Sequence, residues 1–296
     1  MKVNYKISAV IPTMQYGNIQ PSYEFEGADL KEMERVGMDH IQDMFDKYSE
    51  KPLIEKGVVT ESLISFNEGV EIDFDKKTHT YLYKGNKLEG ATSFVNWYIK
   101  PFDSAVVANK CEKSWEVPAD KIQSMWRSNG DISSTFGTLI HNLLEHYNNY
   151  KEQGEKILEK TGKEQNPAIP KHPILKSIIL DFAEMVKDEK GEVVSEVLVS
   201  DVNTGRCGQI DRLLIVDADK KICRVQDYKI NVGSKDKGQK LLAPYDKLPA
   251  TKMSKYQLQL SFYANLLANS GWTVEGIDVF VYEDKWIHEE LSILEV

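Results

Sequence analysis

The chain has 296 residues, of which 41% are hydrophobic and 28% charged, so it can bury a substantial core in one large domain, with or without an appendage. Its net charge of −9 argues against a protein that coats nucleic acid through general basicity, but it permits a nucleic-acid enzyme with a local basic groove. Three dispersed cysteines indicate neither a disulfide framework nor a zinc ribbon. The sequence shows no signal-peptide pattern and no apolar stretch long enough for a membrane span, so we expect a cytoplasmic protein.

The first part of the sequence predicts a small separate module. Strand patterns over 5–11 and 21–27 precede an amphipathic helical pattern over 28–50. We therefore expect a ββα module of unknown role over residues 1–51, with a second and larger domain over residues 52–296.

The larger domain alternates between extended and helical patterns. A hairpin is predicted over 70–90, followed by a helical stretch with Trp97, Trp115 and Trp126. These tryptophans can stack on unpaired bases or pack in the core, and we expect core packing for most of them. The remaining patterns are helices over 134–150 and 174–190, strands between 193 and 230, a helix over 255–271 and strands over 273–284 and 285–296. Helices flanking a central mixed sheet make the expected fold α/β or α+β.

The strand pair over 208–230, "GQIDRLLIVDADKKICRVQDYKI", carries charged residues inside apolar runs. A turn over 217–221 would pair Val216 with Ile222, and the same register then pairs Asp211 with Asp227. Directly opposed residues share a face with their Cβ atoms about 5 Å apart, so the two carboxylates would repel each other. Lys229 lies two residues beyond Asp227 and therefore points to the same face.

This arrangement has two interpretations. A divalent cation would neutralise the opposed acids, and hard oxygen ligands favour Mg²⁺ or Mn²⁺. Lys229 would then orient a water molecule or stabilise a developing oxyanion. The alternative is a structural Asp–Lys ion pair with both acids at solvated strand ends, and the residues alone leave both interpretations open.

Two helices carry polar pairs at a spacing of four residues, which places each pair on one helix face. His141 and Glu145 flank a predicted core stripe, and Gln259 and Tyr263 lie on a strongly apolar helix. Each pair also has a structural explanation, as a core histidine or as a glutamine bonded to a backbone carbonyl. The stripe beside the first pair consists of Leu139, Ile140, Leu143, Leu144 and Tyr147.

The order of these motifs resembles the RecB-like branch of the PD-(D/E)XK nucleases, which includes lambda-type exonucleases and the mitochondrial genome maintenance exonuclease. The similarity covers about residues 135 to 285, and its motifs are GTLIHNLLE, Glu196 in VVSEVLVS, GQIDR, QDYK and QLSFY. It implies a restriction-endonuclease-like core and hydrolysis of DNA phosphodiesters with one or two Mg²⁺ or Mn²⁺ ions. It also implies a phage or prophage origin, since phage nucleases often carry N-terminal additions.

The resemblance further implies a role for each matched position. Lys229 would assist the attacking water, and Gln259 and Tyr263 would hold the scissile phosphate. Glu145 would be the trailing acid of the helical motif, and Gly208 the small residue where the backbone runs close to the site. The implied metal ligands are His141, Asp211, Asp227, the Tyr228 backbone carbonyl and Glu196. The cysteines are too few for the iron–sulfur cluster of some relatives, so we expect none.

A basic segment near the motifs is a candidate path for DNA. From Lys229 to Lys255 the chain carries seven lysines against Asp236 and Asp246, a local net charge of +5. These lysines either guide phosphates or form a solvated loop. The predicted DNA contacts are Lys235, Lys237, Lys240, Lys252 and Lys255.

The expected function is that of a metal-dependent deoxyribonuclease, more specifically an exonuclease of recombination, repair or phage DNA metabolism. The preference for an exonuclease rests on the resemblance alone. Expected partners are single-stranded or duplex DNA ends and a recombination or single-strand-binding protein, with no membrane. The alternatives are an endonuclease of the same fold and a catalytically inert DNA-binding or interaction module.

Overall fold

The computed structural model describes most of the chain. The described residues are 61–75, 78–162, 166–230 and 238–296, together with four strands and positions 36 and 39 within residues 1–60. The chain divides into two compact units, residues 1–60 and residues 61–296.

The first unit contains two antiparallel strand pairs. Strand β1 (Val3–Ser8) pairs with β4 (Ser22–Gly27), and β2 (Ile11–Thr13) pairs with β3 (Gly17–Ile19). The two predicted strands thus correspond to the outer pair, and the inner pair was not predicted. Most of the helix predicted over 28–50 lies outside the described residues.

The second unit begins with a four-stranded antiparallel meander. Its strands are β5 (Glu61–Ile64), β6 (Glu71–Asp75), β7 (Thr80–Tyr83) and β8 (Asn86–Lys87). The predicted hairpin is therefore confirmed. Ile72, Phe74 and Tyr81 are buried in one small core, as expected for apolar residues that alternate along paired strands. Lys84 and Gly85 both have positive φ and form the two-residue turn between β7 and β8.

The described part of this unit also contains five helices, four before residue 192 and one between residues 230 and 273. They are α1 (Ala91–Asn96), α2 (Ser104–Trp115), α3 (Ala119–Thr161), α4 (Pro173–Met185) and α5 (Lys252–Asn269). The side chains of Asp103 and Thr251 accept hydrogen bonds from the first turns of α2 and α5, which fixes where these helices begin. None of the described helices combines the length and the apolar character that crossing a bilayer requires.

The main sheet has six strands and is mixed. Its strands are β9 (Glu89–Gly90), β10 (Glu192–Asp201), β11 (Arg206–Asp217), β12 (Ile222–Ile230), β13 (Thr273–Tyr282) and β14 (Trp286–Leu291). Strands β10 to β14 lie in sequence order, and β9 lies beside the start of β11. The pairings β9–β11 and β12–β13 are parallel and the others antiparallel.

Helices cover both faces of this sheet, which confirms the predicted mixed sheet flanked by helices. Val225 and Val279 pack in a core with α1 and α5, whereas Tyr228 and Phe280 pack in a second core with α3 and α4. Val279 and Phe280 are adjacent on one strand, so the two cores lie on opposite faces. Motif residues on both helix layers can therefore reach the same strands.

Phe182 of α4 provides a test of the second core. Its ring lies 5.4, 5.3 and 5.2 Å from the rings of Tyr228, Phe280 and Trp286, and it is fully buried. We expect Phe182→Ala to lower the free energy of unfolding by about 3–5 kcal/mol, because it leaves a cavity between α4 and the sheet. Urea denaturation measures this loss. Ile174→Ala, on an exposed position of the same helix, is the control and should cost less than about 1 kcal/mol.

Candidate metal centre

The register of the β11–β12 hairpin decides which charged residues meet. Arg212 pairs with Gln226, and this register continues to Ile215 and Cys223, as predicted. The predicted pair of Val216 with Ile222 is wrong, because Asp217 takes that place and Val216 is the extra residue of a β-bulge. The Asp217 carboxylate accepts a hydrogen bond from the Lys220 backbone N–H. The turn therefore spans residues 218–221 instead of the predicted 217–221, and Val216 has no partner on β12.

The two strands part immediately beyond the Arg212–Gln226 pair. The same register, continued by one residue, places Asp211 opposite Asp227, but no backbone pairing between β11 and β12 continues there. Strand β12 instead remains paired with β13 as far as Ile230. The Tyr228 backbone N–H, which the ladder no longer uses, lies 3.4 Å from Asp211 Oδ2. Both acids therefore stand at the point where the sheet opens.

A third acid completes a row across the sheet. Glu196 on β10 lies opposite Asp211, between the paired positions Ser195–Arg212 and Val197–Ile210. Its φ of 54° is left-handed, a conformation that costs a residue other than glycine about 1 kcal/mol or more. Glu196, Asp211 and Asp227 thus occupy matching positions on three neighbouring strands.

The backbone twists sharply at this row. Val194 and Val197 both pack against the core on the α5 side, and so do Ile210 and Leu213 on the neighbouring strand. Residues three apart on a regular strand point to opposite faces, so both strands reverse their facing between these positions. The left-handed Glu196 lies within that interval. The twist is a local departure from the strict alternation of a strand.

His141 approaches the row from α3. Ile140 and Leu144 are fully buried beneath it, although Leu139, which was predicted to share their stripe, is 41% exposed at its edge. His141 Nε2 lies 2.9 Å from the Tyr228 carbonyl oxygen, and Nδ1 lies 3.2 Å from Asp211 Oδ2. A carbonyl only accepts, so in the neutral ring Nε2 carries the proton and Nδ1 turns its lone pair toward a carboxylate.

The neutral form of His141 is favoured by its surroundings. Burial lowers the pKa of His141 and the Lys229 ammonium adds to this effect, while Asp227 and the hydrogen bond to Tyr228 act against it. A lone pair and a carboxylate oxygen 3.2 Å apart repel each other unless a proton or a cation lies between them. Ligand atoms of His141, Glu196 and Asp211 all lie within 4.8 Å of one another, which is compatible with one shared metal ion.

Charge also favours a cation here. Lys229 lies close to Asp227 and Asp211 and supplies one positive charge, so it leaves two negative charges of the row uncompensated when Glu196, Asp211 and Asp227 are all ionised. Burial raises the pKa of Glu196 to about 8, and Asp211, Glu145 and Asp227 add to the effect. Glu145 thus lies near the row, as the helical spacing with His141 predicts. A divalent cation matches the missing charge.

Asp227 is buried and forms an ion pair with the half-buried Lys229. Lys229 Nζ lies 2.5 Å from Asp227 Oδ2, an atom that is buried and accepts no hydrogen bond of normal geometry from the described residues. Burial raises the pKa of Asp227 against the effect of Lys229. Burial acts to lower the pKa of Lys229, but the charges of Asp227 and Asp211 outweigh this effect and raise that pKa, so the lysine stays charged. The ion pair of the alternative interpretation therefore exists, but Asp227 is only 2% exposed and does not stand at a solvated strand end.

Helix α5 contributes a second polar pair from the other side. Gln259 Nε2 donates a hydrogen bond to the Tyr263 hydroxyl at 3.2 Å, as their spacing predicts. Burial raises the pKa of Tyr263, so the phenol stays protonated. The Tyr263 ring packs against Gly208, where an added Cβ would lie 2.5 Å from Cε1. Gly208 therefore allows the close approach of backbone and ring for which it was singled out.

A cleft of about 340 Å³ joins these groups, and the meander forms its far wall. Glu196, Asp211, Gln259 and Tyr263 line one side. The wall that was not predicted includes Thr78 to Tyr81, Lys87, Leu88 and Gly90 to Ser93. These residues follow ordinary hairpin and helix patterns and lie at least 48 positions before His141 and more than 100 before Glu196, so nothing in the linear sequence marks them. The parallel pairing of β9 with β11 brings them here, together with hydrogen bonds from the β5–β6 loop to β10, such as Phe66 N–H to the Leu198 carbonyl.

The remaining sequence predictions concern the DNA path. Lys240, Lys252 and Lys255 line one further cavity, at the start of α5, whereas Lys235 and Lys237 lie outside the described residues. The expectation that most of the tryptophans pack in the core is wrong. Trp97 and Trp115 are 71% and 51% exposed, and α2, which ends at Trp115, buries only Ala108.

Comparisons with known proteins add little to this geometry. A scan against protein-family models finds no match for the chain, and a search of the curated proteins finds none. Among solved structures the chain is similar to one titled "Crystal structure of SSO0001", with 16% sequence identity and a TM-score of 0.24. The match covers 52% of this chain and 66% of that chain, slightly less than two thirds of its length. A similarity at this TM-score carries no argument for fold or function.

Glu196 makes the metal-free protein sensitive to pH. Its carboxyl titrates near 4.5 in the unfolded chain and at about 8 in the folded protein. Between these values the folded state binds more protons, so stability falls as the pH rises through this window. In EDTA we expect the melting temperature to fall by several degrees between pH 5 and pH 9, as followed by circular dichroism.

The variant Glu196→Gln should make this profile less steep, because an amide does not titrate, while Asp227, whose pKa burial also raises, keeps its own contribution. Glu192→Gln is the matched control, since Glu192 lies exposed on the same strand. The control should keep the wild-type slope. An equal slope in Glu196→Gln and wild type would show that Glu196 does not take up the proton.

Proposed function

We propose that this protein is a metal-dependent deoxyribonuclease of the PD-(D/E)XK type that hydrolyses DNA phosphodiester bonds with Mg²⁺ or Mn²⁺. The observation that carries the proposal is the row of Glu196, Asp211 and Asp227 where the sheet opens, with His141 on one side and Lys229 on the other. An acidic row of this kind suits a cation far better than a protein core. The PD-(D/E)XK resemblance adds the reaction class.

The donor set fits a hard divalent cation. His141 Nδ1 and the carboxylates of Asp211 and Glu196 would hold it, with Asp227 beside them. Such an ion, when bound, lowers the pKa of water and neutralises charge that develops on the phosphate. The Tyr228 carbonyl, implied as a further ligand, accepts from His141 Nε2 in this structure and so orients the imidazole.

Lys229 supplies positive charge that the protein holds in place. Its ammonium lies between Asp227 and the face of the Tyr256 ring, 5.0 Å from the ring centroid. An ammonium that is half-buried and already oriented stabilises a developing oxyanion without reorganising during the reaction. We assign two roles to Lys229, namely to assist the attacking water and to stabilise the negative charge that develops on the phosphate.

Gln259 and Tyr263 would hold the scissile phosphate. The glutamine amide uses one N–H on the Tyr263 oxygen, which leaves its second N–H and the tyrosine O–H as two donors at the cleft. Two donors fixed by one helix match two oxygens of a phosphodiester. Gly208 permits this placement, because a larger residue would push the tyrosine ring away from the strand.

The proposal includes an exonuclease that acts on DNA ends in the cytoplasm, with a recombination or single-strand-binding protein as a candidate partner. The preference for ends rests on the resemblance. The following experiment distinguishes this exonuclease from two alternatives. One is an endonuclease with the same residues in the same roles, and the other is an inert binding module.

The deciding experiment offers the protein end-labelled single strands, linear duplex and covalently closed circles, each with Mg²⁺, Mn²⁺ or EDTA. We expect linear DNA to be degraded with either metal, circles to survive, and no cleavage in EDTA. Asp211→Asn and Asp227→Asn should abolish cleavage, while His141→Ala should reduce it less, because water can replace one imidazole. Asp219→Asn, in the exposed turn of the same hairpin, is the control and should cleave like wild type.

Cleavage of closed circles would replace the exonuclease by an endonuclease. Full activity of Asp211→Asn would refute the assigned centre. Binding without cleavage under every metal condition would identify an inert module.

A second experiment separates chemistry from binding. Lys229→Met should lower kcat by about 100-fold or more while DNA affinity changes little, because the charge acts on the developing oxyanion rather than on the bound strand. Single-turnover kinetics and fluorescence anisotropy measure the two quantities. Lys220→Met, exposed in the turn of the same hairpin, is the matched control. An equal loss of affinity and rate in Lys229→Met would contradict the assigned role.

A further inference from the structure

A cavity of about 610 Å³ lies at the start of α5, apart from the acidic cleft. Lys100, Lys240, Lys252 and Lys255 are among its lining residues, and none of the described lining residues is acidic. Among the described residues, Lys100, Lys240 and Lys255 form no ion pair. A group of lysines around one cavity whose described lining contains no acid, in a chain of net charge −9, indicates an anionic ligand.

Aromatic rings extend from this cavity along the helices. Phe102 lines the cavity and is 70% exposed. Its ring lies 6.1 Å from that of Trp126, which in turn lies 6.4 Å from the ring of Trp115. We call Phe102, Trp126 and Trp115 the ring series. Phe102 and Trp115 are exposed and Trp126 is half-buried between them. A series of rings beside lysines matches a ligand in which anionic groups alternate with flat rings.

The spacing to the metal centre suits a polynucleotide. Lys252 and Gln259 lie on the same helix seven residues apart, which is about 10 Å along its axis. At roughly 3.4 Å per nucleotide of a stacked strand, this distance spans about three nucleotides. Tyr256, between these two residues, is the ring that faces Lys229. The helix therefore connects the lysine cavity to the acidic row.

We propose that the lysine cavity and the ring series form a subsite for unpaired DNA about three nucleotides from the scissile phosphate. The lysines would contact phosphates, and the rings would stack on bases. The inference rests on the proposed nuclease function and adds the substrate class. It requires an unpaired strand, because the base faces in a duplex are covered by their neighbours and cannot stack on protein rings.

The test measures binding alone. Fluorescence anisotropy in EDTA would compare a labelled 15-nucleotide thymidine strand with a 15-base-pair duplex, using the full chain. We expect Phe102→Ala and Trp115→Ala each to weaken single-strand binding about tenfold and to leave duplex binding unchanged. Tyr150→Ala, an exposed aromatic position on the same helix as Trp126, is the control. Trp126→Phe should keep the affinity, since a ring remains.

The lysines have a separate readout. The double variant Lys240→Ala/Lys255→Ala should reduce the slope of log affinity against log salt by about 0.7 for each lost contact with a single strand. Lys160→Ala, exposed near the end of α3, should not change that slope. Circular dichroism confirms that each variant is folded before it is compared.

Two outcomes would overturn the subsite. One is unchanged single-strand affinity in both ring variants. The other is a change in oligomeric state by gel filtration, which would identify the ring series as a contact between copies of the chain. Because binding is measured without metal, strand binding that depends on the rings but leads to no cleavage would refute the nuclease and leave the subsite. Cleavage with ring-independent binding would refute only the subsite.

Discussion

The pairing of Arg212 with Gln226 is the constraint on which the site depends. Arg212 is buried, and its guanidinium donates to the Gln226 side chain and pairs with Glu189 at 2.6 Å. A slip of one residue between β11 and β12 would reverse the facing of every side chain and leave this charge buried without its partners. The network on one face therefore holds the register that places Asp211 opposite Asp227 on the other. The strands can part immediately beyond it because the register is already fixed.

The site departs from what a stable core would contain. Glu196 has left-handed backbone in the middle of a strand, and three acids stand in a row in which Lys229 is paired with Asp227. Each departure costs stability in the metal-free protein, since burial and mutual repulsion oppose ionisation. Energetically unfavourable residues of this kind concentrate at functional sites, where the packing of the surrounding residues compensates for their cost. Here Ile140, Leu144 and Phe182 fill the core behind the centre.

Net charge is a poor guide to the ligand that we propose for this protein. The chain is acidic overall, yet the acids of the centre and the lysines at the start of α5 are separated along one helix. Local fields decide binding at distances shorter than the screening length of about 10 Å in salt solution. An acidic row suits a cation and a lysine cavity suits phosphates. The two charge patterns are complementary for a substrate that brings phosphates to a metal.

The sequence by itself determined the local relations. Asp227 and Lys229 had to share a face, and Gln259 and Tyr263 had to be neighbours, because the periods of strand and helix are fixed by the backbone. The hairpin register also followed, apart from the bulge at Val216. Only the tertiary structure decided the alignment of Glu196, the twist at the acidic row, the cleft wall from Thr78 to Ser93 and the exposure of the tryptophans. These features arise from contacts between segments far apart in the chain, and such contacts leave no periodic trace in the sequence.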